Sequence, residues 1–165
     1  MGVELSGEVK IERTQILGII GLLAALFGII ALFVSWVNID AYAFGTTIRQ
    51  GFNGLALRDW NVDAFQLYLP PIIAICSLVS LLSFAAGIRV PNKKLTHVPV
   101  VMGLLVFMLT IVERIWIVGE VAGIVPELDI LASIVKSSVS VGAGLYLAMV
   151  SGIITIICGR VIARS

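Results

Sequence analysis

Four long apolar runs alternate with short polar stretches along the chain. Ile16 to Val37 and Leu67 to Ile88 carry no charge, and Val98 to Val118 carries only Glu113 and Arg114 near its far end. Val139 to Gly159 is again uncharged, with Lys136 just before it. About 20 apolar residues in a helix cross a bilayer core of about 30 Å. Hydrocarbon offers no partner for backbone N–H and C=O groups, so each run must be helical. The pattern predicts an all-α membrane protein, a four-transmembrane-helix bundle forming one domain over 1–165.

The polar segments between the runs are unequal. Arg89 to His97 is a tight loop turning at Pro91-Asn92. The first outer loop, Asn38 to Gln66, alternates weakly through Tyr42, Phe44, Thr46 and Ile48 before Gly51-Phe52-Asn53-Gly54. That pattern predicts a short β-hairpin leading into the glycines, with Leu55 to Phe65 returning as a second strand or a helical turn. In the second outer loop, Gly119 to Ser138, Pro126-Glu127-Leu128-Asp129 reads as a helix start, and Ile130, Leu131, Ile134 and Val135 mark one apolar face. Two readings follow, a short interfacial helix or an upward extension of the fourth span, and the extension is preferred.

Composition reinforces the membrane reading. Of 165 residues, 59% are hydrophobic and only 13% charged, too few charges to clothe a soluble fold. Two cysteines exclude a disulfide scaffold, and no length is left for a soluble catalytic domain. The net charge of +1 conceals an asymmetry. Lys10, Arg13, Arg89, Lys93, Lys94, Arg160 and Arg164 against Glu4, Glu8 and Glu12 give one side +4. The other side, with Arg49, Arg58, Arg114 and Lys136 against seven acids, stands at −3. The positive side is expected to face the cytoplasm, which makes both termini cytoplasmic in a multi-pass cell-membrane protein. Trp36, Trp60 and Trp116 fall near outer span ends and are expected as interface anchors. Ala41-Tyr42-Ala43 resembles a signal cleavage site and Met1-Gly2 opens a loose myristoylation pattern. The long first span instead predicts an uncleaved anchor, and the acylation match is read as chance.

Small residues at helical spacing predict close packing: Gly21, Ala25 and Gly28 in the first span, and Gly144, Ala148 and Gly152 in the fourth. Ser77, Ser80 and Ser83 add a mild polar stripe to the second. Glu113 and Arg114 stand out, because an ionisable group within a span is costly. Glu113 and Glu120 share a helix face, which is expected to meet the first outer loop, with Arg49 or Arg58 as partners. A structural clamp between the third span and the loop is preferred over an ion or substrate contact.

Catalytic and cofactor chemistry find no support. Cys76 and Cys158 lie at different depths, and His97 is the sole histidine, so no metal or haem set converges. No nucleophile elbow, phosphate loop or dinucleotide fingerprint is present, and nothing points to nucleic acid. No cofactor is expected, and the chain is not expected to be an enzyme.

Four spans, cytoplasmic termini, a long first outer loop with strands and a tight cytoplasmic turn resemble the claudin and peripheral-myelin-protein group. That group's loop carries Trp, Gly-Leu-Trp and two bonded cysteines. Here Trp36 is followed by Gly54-Leu55-Ala56, with no loop cysteine. A Trp closing the first span and Gly142-Ala143-Gly144-Leu145-Tyr146-Leu147 opening the fourth are also similar to small four-span prokaryotic proteins. The first expectation is a non-catalytic protein in the lipid bilayer whose outer loop contacts other membrane or surface proteins, or further copies of itself, in assembly, adhesion or surface organisation or as an accessory subunit of a membrane complex. A small oligomeric channel or transporter component using Glu113 and Arg114 is the second expectation, and a membrane enzyme the third.

Overall fold

The computed structural model describes residues 2–43, 46–59, 68–89, 93–121 and 136–164; side chains are described from 14 onward, except at 43, 58–59, 89, 93–94, 120–121 and 136–137. Four helices carry the fold: α1 (Gly2–Ile30), α2 (Leu69–Arg89), α3 (Lys93–Trp116) and α4 (Ala143–Arg164). All four are long and apolar enough to cross a membrane. Each packs on its neighbour in chain order and α4 closes back on α1, so α1 and α3 stand at opposite corners of the bundle.

The bundle is apolar on its outside. Ile16, Phe27, Ile75, Leu82, Leu104, Met108, Val150 and Ile157 are exposed, whereas Ala24, Ala25, Ala148, Ser77, Ser80, Thr110, Ser151 and Thr155 are buried. Water would reward the reverse arrangement. In lipid, large apolar side chains lose nothing by facing outward, and small residues inside let backbones approach. Gly28 of α1 shows how close: a Cβ there would overlap Ser77 Oγ of α2 and lie 2.7 Å from Ser151 Oγ of α4. Ser151 donates to Ala24 O across the α1–α4 seam at 2.7 Å. Gly21 receives the Phe84 ring. Gly152 sits against Gly103 of α3, where a Cβ would lie 3.0 Å from Gly103 O.

One end of the bundle carries a three-stranded antiparallel sheet, β1 (Ser35–Ala43), β2 (Thr46–Asn53) and β3 (Lys136–Val141), in the order β2-β1-β3. Three expectations are corrected here. The first apolar run does not stay helical to Val37: α1 ends at Ile30, a 3-10 turn covers Ala31–Phe33, and Trp36 and Val37 belong to β1. The hairpin reverses between Ala43 and Thr46, so Gly51-Phe52-Asn53 lies inside β2. In the described part of the return segment Asn53 Oδ1 accepts from Leu55 N and Ala56 N and a 3-10 turn covers Ala56–Asp59, which agrees with the helical-turn alternative; 60–65 lie outside the described residues. Finally, Lys136–Val141 is a strand, and α4 begins only at Ala143, so the fourth span has no helical extension through 136–141. The expected helix start at Pro126 lies outside the described residues. β-branched Val139 and Val141 alternating with serines suit a half-buried strand better than a helix.

Candidate functional site: the sheet-capped end

Trp36 organises this end. Its side chain is fully buried, and its indole N–H donates to Ala31 O at 2.6 Å, folding β1 back onto the last turn of the first helical segment. Gly142 N donates to Trp36 O at 2.7 Å. A Cβ at 142 would overlap the Ser35 carbonyl, and one at 144 would lie 2.7 Å from Trp36 Cδ1. The two sequence features noted separately, Trp36 and Gly142-Ala143-Gly144, therefore meet as one joint. The glycines admit the tryptophan, and the tryptophan fixes where β3 turns into α4. Trp36 and Trp116, expected as interface anchors, are buried core residues at this end. Trp60 lies outside the described residues.

The register sorts the sheet into two faces. Val37, Ile39 and Ala41 of β1 share a face with Phe52, Gln50 and Ile48 of β2 and with Val141 and Val139 of β3. Val37 is fully buried, and Ile39, Phe52, Val139 and Val141 pack on a core that includes Leu57, Ile73, Trp116, Ile117 and Leu145. The opposite face is polar, with Asn38, Asp40, Arg49, Ser138 and Ser140. Arg49 donates to both carboxylate oxygens of Asp40, at 2.6 and 2.9 Å, as a cross-strand pair. That bond holds the Asp40 carboxyl below its ordinary range and raises the Arg49 guanidinium. Arg49 is therefore engaged by Asp40, not by Glu113. The Arg58 side chain lies outside the described residues, as does that of Glu120 in the π-helical turn Ile117–Val121.

Glu113 shares the inward face of α3 with Val106, Thr110 and Ile117, and all four are buried. Its height follows from the α3–α4 contact. Gly103 faces Gly152, and the helices run antiparallel, so Glu113 stands level with Gly142, directly beneath the sheet. At the same height Ile115 and Val118 are exposed apolar side chains. Glu113 is fully buried, and neither carboxyl oxygen has a hydrogen-bond partner among the described residues. The hydroxyl nearest along the same face of α3 is committed elsewhere: Thr110 donates to Phe107 O. Arg114, next along the chain, is exposed.

No protein-family model and no curated protein matches the chain.

One residue of the bundle and one strand of this end escaped the sequence reading. Gly103, the α3 half of the closest helix contact, is an isolated glycine with no small residue three or four positions away. β3 was hidden because its alternation spans only six residues beside a strong helical run.

Proposed function

We propose that the chain is a non-catalytic integral membrane protein whose sheet end makes protein contacts on the outer side of a cell membrane. The sheet end carries the acidic excess and the far end the basic excess, which supports cytoplasmic termini. The four-helix plan carries the proposed kinship with the claudin and peripheral-myelin-protein group. One observation bears most of the weight. Thr46 to Gly51 of β2 are all exposed, on both faces, although Ile48 and Gln50 belong to the face that elsewhere rests on the core. Ile48 is 67% exposed. A strand that overhangs its own bundle, anchored through Trp36 and Val37, presents a fixed surface with a polar top and an apolar underside.

Extraction from native membranes in mild detergent tests this reading. The chain should emerge in a complex heavier than its own 17.6 kDa. Ile48→Lys should release it, since that position is exposed and the fold should not depend on it. A single free chain in both cases refutes the reading.

A second reading, a channel or transporter component, is favoured by Glu113 alone. An unpartnered carboxyl inside apolar surroundings is costly, and such groups mark ion or proton paths. Ion flux in liposomes that Glu113→Gln abolishes would favour it over the first.

A further inference from the structure

We infer that Glu113 is a proton-binding site inside the bundle, its carboxyl holding a proton while the bundle is closed. The inference rests on the second reading above for the purpose of the site, and narrows that reading from ions in general to the proton. Glu113 is fully buried on the inward face of α3, and neither of its oxygens has a partner among the described residues.

No charge on the packed elements faces it. Residues 14–30 of α1, 69–88 of α2 and 143–159 of α4 carry no charged side chain. Cys76 of α2 and Cys158 of α4 are the buried titratable groups there, and Tyr146 of α4 is exposed. On the sheet, Asp40 and Arg49 lie on the polar face and bind each other, and Tyr42 is exposed. On α3 itself Arg114 is exposed, and His97 lies near the far end. An ionised carboxylate without a partner in apolar surroundings costs far more than the neutral acid. The closed bundle therefore favours the protonated carboxyl, and release of the proton requires water or a cation to enter.

A metal cation fits this place poorly. It needs several further oxygen ligands, and no group of three His, Cys, Asp or Glu occurs among the described residues. Deeper in the bundle the helices also touch closely. A Cβ at Gly28 would overlap Ser77 Oγ, and one at Gly103 would lie 2.9 Å from Gly152 O. Those contacts leave no width for a hydrated ion, whereas buried carboxyls are established carriers of protons within membranes.

Infrared difference spectroscopy of the purified full chain in vesicles at neutral pH tests the site. The carbonyl stretch of a protonated carboxylic acid stands apart from the amide and carboxylate bands. Subtracting Glu113→Gln from the unaltered chain should leave one such band, sized for one of the chain's 10 acidic side chains. Subtracting Glu113→Met should leave the same band, which guards against a folding defect in either variant. Sodium, potassium or calcium chloride should not change it. A carboxylate band in place of the acid band overturns the proposal, and so does loss of the acid band on adding any of these salts. Proton flux across the same vesicles separates the site from its purpose. An acid band without a flux that Glu113→Gln abolishes upholds the site and refutes the transport reading. Such a flux without an acid band refutes the site and leaves the transport reading standing.

Discussion

Replacing Glu113 with methionine should make the protein more stable. The glutamate side chain is fully buried at the junction of sheet and bundle, and its two oxygens lack partners among the described residues. A buried polar group left unpaired costs about 1–3 kcal/mol. Methionine has similar length and bulk, so it removes that cost without opening a cavity. A gain of about 1–3 kcal/mol corresponds to a rise in Tm of about 2–4 °C per kcal/mol for a domain of this size. The two buried thiols supply the assay: Cys76 and Cys158 react with a fluorogenic maleimide only as the bundle opens on heating. Glu113→Gln is the control, since it keeps an unpaired acceptor and adds donors, and it should bring no gain. If methionine and glutamine both lower Tm by several degrees, the carboxyl holds the sheet to α3 and the reasoning is wrong. A stabilised Glu113→Met protein with lost function would mark the carboxyl as retained for activity.

Other consequences follow from the packing. Gly28→Val should cost about 1–3 kcal/mol by overpacking the meeting point of α1, Ser77 and Ser151. Gly87→Ala, where nothing lies within 4 Å, should leave Tm unchanged or raise it slightly through helix propensity. Trp36→Phe removes the donor to Ala31 O, should cost about 1–2 kcal/mol, and should speed hydrogen exchange of the Gly142 amide. The Asp40–Arg49 pair predicts a pH effect with a definite sign. Asp40 titrates below its ordinary range when folded, so its contribution is present above the usual carboxylate value of about 4 and is lost as pH falls through the folded value. Exchange of β1–β2 amides should therefore show extra acid sensitivity that Arg49→Gln abolishes.

The bundle was legible because lipid imposes a simple rule on composition and length, and the helices need only satisfy themselves. Their contacts were partly legible. Gly21, Gly28, Gly144 and Gly152 stand in regular small-residue rows, while Gly103 stands alone. The sheet was harder to read. Trp36 and Val37 continue an apolar run without interruption, so nothing local shows that the chain leaves the helix after Ile30. What ends it is non-local: Gly142 and Gly144, a hundred residues later, make room for Trp36 and bring β3 beside β1. Arg49 shows the same limit. Its charge advertised a partner, but strand register, set by the position of the hairpin turn, chose Asp40. Glu113 was conspicuous as a charge in an apolar run. Only the helix register against Gly152 shows that it sits level with Gly142 beneath the sheet.

The central claim, that the sheet end exists to make protein contacts, is tested most directly by the mass of the protein extracted from its own membrane. Light scattering that subtracts detergent should give a protein mass above 17.6 kDa for the unaltered chain and a fall toward that value for Ile48→Lys. A mass of one chain for the unaltered protein, or an assembly that Ile48→Lys leaves intact, would contradict the account.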